Sequence, residues 1–158
     1  MSEVAEVSLI EPLANIRDEA LSKDLGYAGG ITPQQAWQWF QAGHGVLVDV
    51  RSGEELAFVG RVPNTKHVPW ASGTSLNRNP RFVRELEAKV ADDGGRDAVL
   101  FLLCRSGKRS VLAAQAATKG GFTHVFNILE GFEGELNEQE QRGHNDGWRY
   151  HQLPWIQD

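Results

Sequence analysis

The segment "VLFLLCRSGKRS", Val99–Ser110, contains an abrupt change of character. It begins with a continuous apolar run, which is typical of a strand buried on both faces in a parallel sheet. The run ends at Cys104, the single cysteine of the chain, and the next five positions contain the cations Arg105, Lys108 and Arg109. The alanine-rich segment "SVLAAQAATKGG" then predicts a helix. We therefore expect Cys104 to lie where a buried strand passes through a short loop into a helix.

Strand and helix patterns also alternate along the rest of the chain. "GVLVDV" and "HVFNIL" predict two further buried strands. Helices are predicted after Thr32 as an N-cap, after Ser52, which forms a capping box with Glu55, and after Asn79 as a cap. This alternation predicts an α/β domain with a central, largely parallel sheet and helices on both of its faces.

Composition limits the partners and the location. The chain has 158 residues, 23% of them charged, and a net charge of -5, which argues against nucleic-acid and anionic-membrane partners. The apolar run at 98–104 is too short to cross a bilayer, and the acidic N-terminus has no secretory pattern. A single cysteine suits a reducing compartment, so we expect a cytoplasmic protein. No cofactor is expected. No metal is expected either, because the histidines do not have the spacing of metal ligands: His44, His67, His124, His144 and His151.

The cysteine loop has the composition of an anion site. In open α/β sheets ligands bind at the carboxyl ends of strands, where the amides of a loop and a helix start converge. Gly107 allows the tight turn that such a cradle needs. A cysteine near a helix N-terminus and cations is typically a reactive thiolate. Taken singly, Cys104 also fits a small buried apolar residue and the cations a solvated turn, but their combination favours a functional site.

Counting positions excludes three familiar motifs. A phosphate-binding P-loop needs glycine where Leu102 stands and a hydroxyl residue where Arg109 stands. A tyrosine-phosphatase loop needs arginine at the sixth position after the cysteine, which is Ser110. A redox pair needs a second cysteine, and the chain has one.

The cysteine loop matches none of these three motifs. It resembles the active-site loop of the rhodanese sulfurtransferase family. "LVDVRSGEELAFVGRVPNTKHVPW" resembles the family's N-terminal signature, and "NILEGF" with "GWRYHQLPW" resembles its C-terminal signature. The resemblance runs from about Ile31 to Trp155. Asn64 and Thr65 replace a common glycine-alanine pair, and Ser106 stands where the thiosulfate enzyme has lysine. An asparagine tolerates the left-handed conformation that this turn requires.

The resemblance implies the rhodanese fold and a sulfur transfer in two steps. The catalytic residue would be Cys104, which takes sulfane sulfur from a small donor such as thiosulfate and passes it as a persulfide to a thiophilic acceptor. The substrate-binding residues would be those of the loop, with the cations holding the donor's sulfonate: Arg105, Ser106, Gly107, Lys108, Arg109 and Ser110. Asp49 and Arg51 would support the loop, unless they form a plain surface ion pair.

Two other functions stay open at the level of sequence. One is a sulfur-carrier module that relays sulfur to a protein acceptor. The other is a phosphatase or arsenate reductase of similar fold, which the short cysteine loop disfavours. We divide the chain into an N-terminal extension, 1–30, with an amphipathic helix at 9–25, and a rhodanese-like domain, 31–158. The segment Glu133–Gly147 is predicted to be an insertion that borders the mouth of the active site.

Overall fold

A parallel sheet forms the centre of the computed structural model, which describes residues 9–72 and 77–157. The strands are β1 Gly29–Ile31, β2 Val46–Asp49, β3 Lys66–His67, β4 Ala71–Ser72, β5 Asn77–Arg78, β6 Val99–Leu103 and β7 His124–Ile128. The helices are α1 Glu11–Ser22, α2 Pro33–Gln41, α3 Gly53–Phe58, α4 Phe82–Lys89 and α5 Arg109–Lys119.

The strand order of the main sheet is β1-β7-β6-β2-β3, and every neighbouring pair is parallel. β4 and β5 form a separate antiparallel pair. This architecture confirms the predicted α/β class with a central parallel sheet. β1 was not predicted, because a three-residue strand with two glycines shows no apolar pattern. Gly30 lies so close to the Leu129 side chain that a Cβ would approach it to 2.7 Å.

The apolar run of β6 is explained by the two faces of the sheet. Leu100 and Leu102 belong to a core cluster on the side of α4 and α5, whereas Phe101 and Leu103 belong to a cluster on the side of α1 and α2. All of these side chains are fully buried. A strand between two helical layers has no solvent-facing side, so it lacks polar alternation.

Two helices begin at the capping residues that the sequence predicts. Thr32 caps α2 in a capping box with Gln35, and Ser52 caps α3 in a capping box with Glu55. Asn64 has φ +64°, the left-handed conformation expected of the residue that replaces glycine in this turn. α4 begins at Phe82, later than predicted, although the Asn79 side chain still accepts the Arg81 amide hydrogen.

The N-terminal helix is shorter than predicted and covers the core. α1 spans Glu11–Ser22 and places Leu13 in the core cluster on its side of the sheet. It ends before Asp24 and Gly26, which both have positive φ and turn the chain toward β1. Residues 1–8 of the predicted extension lie outside the described residues. Among the described helices, none is long and apolar enough to cross a membrane.

Candidate active site

Cys104 directly follows β6, the central strand, and is 1% exposed. The loop 105–108 connects it to α5, which begins at Arg109. The strand, loop and helix therefore follow one another as the sequence predicts. The sulfur lies at the carboxyl edge of the sheet and beside the start of an 11-residue helix, a position that favours negative charge.

Two groups of the loop and helix contact the sulfur. The Gly107 amide donates a hydrogen bond to Cys104 Sγ at 3.1 Å, and Ser110 Oγ lies 3.1 Å from the same atom. Gly107 has φ +95°, and a Cβ there would lie 3.2 Å from the Glu130 amide nitrogen. Both conditions favour glycine, since an L side chain would strain the turn that aims this amide at the sulfur.

Asn127 completes the polar surroundings of the sulfur. Ser110 Oγ donates to Asn127 Oδ1, and Asn127 Nδ2 donates to the Gly107 carbonyl at 3.3 Å. Asn127 lies in β7 and is 2% exposed. Asn127 was not among the predicted site residues, although an amide inside the apolar strand "HVFNIL" is itself a signal that a buried polar partner exists.

The Arg109 guanidinium is held by a carboxylate. It donates two hydrogen bonds to Glu55, at 2.8 and 2.7 Å. Burial alone would raise the pKa of Glu55, but the hydrogen bonds from Arg109 and Ser52 outweigh it and lower the pKa from 4.5 to about 2. The hydrogen bond with Glu55 likewise raises the pKa of Arg109, and it outweighs burial, which acts to lower it. From the sequence, Glu55 was predicted only as part of the capping box with Ser52.

The other two cations of the loop face solvent. The Lys108 side chain is 80% exposed and lies 3.7 Å from Glu135. Arg105 is exposed, and its side chain has no hydrogen bond or ion pair with any residue that the structure describes. Its carbonyl oxygen accepts the amide hydrogens of Glu133 and Gly134, at 2.9 and 3.2 Å. The start of the segment 133–147 is therefore attached to the cysteine loop.

Asp49 and Arg51 form a buried ion pair, with Arg51 Nη2 2.7 Å from Asp49 Oδ2 and both side chains at most 1% exposed. Arg51 also donates to the Gly60 carbonyl at 2.9 Å, and its guanidinium lies 4.2 Å from the centre of the Phe132 ring. The Phe132 amide in turn donates to the Cys104 carbonyl at 2.8 Å. The pair is therefore not on the surface, and it contacts the backbone of the cysteine loop through Phe132.

A turn after β7 packs against the backbone of the cysteine loop. Gly131 has φ +69°, and a Cβ on it would lie 2.5 Å from the Arg105 backbone and 2.6 Å from the Cys104 carbonyl oxygen. The Gly131 carbonyl accepts the Trp148 amide hydrogen at 2.8 Å. The segments "NILEGF" and "GWRYHQLPW" thus pack together behind Cys104, although they are separated in sequence. Across residues 9–72 and 77–157, no group of three metal-ligating side chains is close enough to hold an ion.

This chain is similar in sequence to an uncharacterized bacterial protein and in fold to solved structures. RP600, an uncharacterized protein of Rickettsia prowazekii, is 37% identical over 113 residues, 69% of this chain and 80% of that protein. The crystal structure of Rv0390 from M. tuberculosis is 40% identical, with a TM-score of 0.74, and the similarity covers 84% of this chain and 99% of that one. A polysulfide-sulfur transferase homodimer from Wolinella succinogenes has the same fold, with a TM-score of 0.54 at 21% identity over 92% of this chain and 89% of its own.

The family model of the rhodanese-like domain matches residues 32–138. This range includes the central strands, the cysteine loop, α5 and the turn that supports Cys104. The chain therefore belongs to the family of rhodanese-like domains.

Proposed function

We propose that the protein is a sulfurtransferase that moves sulfane sulfur from a small donor, such as thiosulfate, to a thiophilic acceptor through a persulfide on Cys104. The observation that carries this proposal is the position of the single thiol, which accepts the Gly107 amide hydrogen beside Ser110 at the start of a helix. The Gly107 amide and the helix start stabilise an anionic sulfur, the form in which cysteine acts as a nucleophile. A single free thiol also suits a reducing compartment, and we propose a cytoplasmic location.

In the first step the Cys104 thiolate attacks the outer sulfur of thiosulfate. A bond forms between Sγ and that sulfur, the sulfur–sulfur bond of the donor breaks, and sulfite leaves with the electron pair. In the second step a nucleophile such as cyanide attacks the outer sulfur of the persulfide, and the Cys104 thiolate leaves. No external oxidant or reductant is needed, because the sulfane sulfur itself is transferred.

The residues in and around the cysteine loop have two roles: some can bind the donor, and others hold the loop in place. Arg105 and Lys108 are exposed and can meet the donor's sulfonate, whereas Arg109 holds Glu55. Because Cys104 is almost fully buried, its sulfur is reached by slender donors whose outer sulfur can enter the loop. Asp49 and Arg51 support the loop through Phe132.

The test is mass spectrometry of the intact protein after anaerobic incubation with thiosulfate. We expect a gain of one sulfur atom, lost again on addition of cyanide, and no gain in the Cys104→Ser variant. A thiol that stays unmodified yet reacts with iodoacetamide contradicts the proposal. Hydrolysis of aryl phosphates that depends on Cys104, at a rate comparable with thiosulfate turnover, would favour a phosphatase instead.

A relay of sulfur to a protein acceptor is the second candidate. The exposed cations Arg105 and Lys108 beside the buried thiol favour it, because they offer an acidic partner a contact next to the persulfide. In that case the persulfide still forms on Cys104, but a protein thiol accepts the sulfur faster than cyanide does.

A further inference from the structure

The hydrogen bonds around Cys104 form a closed ring. Gly107 donates to Sγ, Sγ lies beside Ser110 Oγ, Ser110 donates to Asn127, and Asn127 donates back to the Gly107 carbonyl. The side chains of Cys104, Ser110 and Asn127 are all at most 2% exposed. Solvent therefore cannot readily replace a hydrogen bond that is lost inside the ring.

The number of hydrogens in this ring limits what Ser110 can do. A serine hydroxyl has one hydrogen, and in the observed arrangement it points to Asn127 Oδ1. Ser110 Oγ then faces the sulfur with a lone pair, which a neutral thiol matches by donating its own hydrogen. A thiolate has no hydrogen to donate, so two electron-rich atoms would face each other at 3.1 Å.

We propose that Asn127 is a positioning residue that competes with the Cys104 sulfur for the hydroxyl hydrogen of Ser110. While Cys104 is a neutral thiol, the Ser110 hydroxyl donates its hydrogen to Asn127 Oδ1. When the thiol releases its proton to solvent, the Ser110 hydroxyl turns to the sulfur, and Asn127 Oδ1 loses its donor. Asn127 thereby stabilises the neutral thiol and raises the pH at which Cys104 becomes nucleophilic.

The consequence for turnover rests on the proposed persulfide chemistry, but the ionisation of Cys104 does not. We therefore choose alkylation by iodoacetamide, followed by intact mass spectrometry against pH, as the readout. Cys104 is the single cysteine in the sequence, so the alkylation rate reports on this thiol alone. Sulfur uptake from thiosulfate is measured on separate, unalkylated aliquots of the same preparations.

Asn127→Leu removes the acceptor while keeping a side chain of similar size. The Ser110 hydrogen is then free for the thiolate, and we expect the midpoint of the alkylation profile to move to lower pH by about one unit, a roughly tenfold change in the ionisation equilibrium. Ser110→Ala removes the hydrogen itself and should move the midpoint to higher pH. Asn127→Val, which suits a strand, replaces the leucine variant if that variant does not fold.

The double variant separates competition from simple support of the loop. Asn127→Leu also breaks the bond to the Gly107 carbonyl, so a loosened loop is the competing explanation. If Asn127 acts through Ser110, then Asn127→Leu has no further effect on the midpoint in the Ser110→Ala background. Asn79→Leu, which removes a partly buried amide near the start of α4, is the matched control and should leave the midpoint unchanged.

The proposal is overturned if Asn127→Leu leaves the midpoint in place or raises it, if Ser110→Ala does not raise it, or if the shift persists in the double variant. These outcomes differ from a failure of the proposed function. A wild-type protein that takes up no sulfur but shows the expected shifts refutes sulfur transfer and supports the role of Asn127. A protein that takes up sulfur without those shifts refutes the role of Asn127 alone.

Discussion

The three cations of the cysteine loop have different partners, and this difference determines what each substitution changes. Arg109 is half-buried against Glu55, whereas Arg105 and Lys108 face solvent. The family resemblance implied one shared role for all three, the binding of a sulfonate. Arg109 differs from the other two cations because it contacts Glu55, which is 54 residues away in the sequence.

For this reason Arg105→Ala should weaken donor capture without changing the thiol. We expect the KM for thiosulfate to rise about fivefold, which corresponds to the loss of an exposed charge contact of about 1 kcal/mol. The rate of alkylation of Cys104 should stay at the wild-type value. Steady-state kinetics with thiosulfate and cyanide check this prediction, with Arg84→Ala, an exposed arginine on α4, as the control. An unchanged KM would show that Arg105 does not meet the donor.

Residues of the site that are contiguous in sequence could be predicted, and those brought in by the fold could not. Cys104, Gly107 and Ser110 follow from their spacing within one loop. Glu55 already had a sufficient local explanation as the third residue of a capping box, so nothing in the sequence pointed to Arg109. Asn127 lies on a neighbouring strand, and its contact with Ser110 depends on the register of β6 and β7.

The ion pair between Glu55 and Arg109 joins α3 to the start of α5. The pKa of Glu55 is lower in the folded state, about 2, than its ordinary value of 4.5. The unfolded chain therefore binds this proton more readily, so the stabilisation is complete above about pH 5 and is lost as the pH falls toward 2.

Glu55→Gln should remove this pH-dependent stabilisation. We expect the free energy of unfolding to fall by about 1–3 kcal/mol near neutral pH, less than a fully buried pair because the side chains are partly exposed. The difference from wild type should shrink as the pH approaches 3. Urea unfolding across this pH range gives the measurement, and Glu54→Gln, on the exposed side of α3, is the control. A difference that does not depend on pH would contradict the proposed ion-pair origin.

The turn after β7 is a second element on which the loop depends. Gly131→Ala would place a methyl group against the backbone of Arg105 and the carbonyl oxygen of Cys104, at a φ of +69°. Because backbone cannot move aside like a flexible side chain, we expect the loop to be displaced and sulfur uptake to fall at least about tenfold. Gly43→Ala, where φ is also positive but no atom lies within 4 Å, is the matched control for strain alone. Equal activity in the two variants would show that the contact with the loop is unimportant.

The elements themselves were predicted well where the apolar pattern was long. β2, β6 and β7 follow from their buried runs, and α2 and α3 from their caps. β1 and the β4–β5 pair were missed because strands of two or three residues have no measurable period. α4 starts at Phe82 rather than directly after Asn79, a difference that arises within the first turn, where helix ends vary.

The segment 133–147 connects Phe132, which donates to the Cys104 carbonyl, to Trp148, which donates to the Gly131 carbonyl. Its two ends meet, since Gly134 and Gly147 lie so close that a Cβ on Gly147 would be 2.6 Å from the Gly134 nitrogen. The Glu135 amide also donates to Asp146 at 2.8 Å. Between these ends the chain forms an excursion, 135–145, whose first residue lies 3.7 Å from Lys108 of the cysteine loop.

Replacing 135–145 with a short glycine linker should therefore preserve the fold and change the choice of acceptor. The ends are already adjacent, so the closure costs little, and the buried contacts of Cys104 with Gly107 and Ser110 are untouched. Because Glu135, the first residue of the excursion, lies beside Lys108 of the cysteine loop, removal of the excursion should open the approach to the persulfide. We expect the ratio of kcat/KM for a bulky thiol acceptor, such as glutathione, to that for cyanide to rise about threefold to tenfold, while alkylation of Cys104 stays unchanged. Kinetics with both acceptors on the same preparation provide the check, with Lys108→Ala as a separate measure of the contact with Glu135. An unchanged ratio in a folded variant would show that the excursion does not screen acceptors, and a slower alkylation would show that it supports the thiol instead.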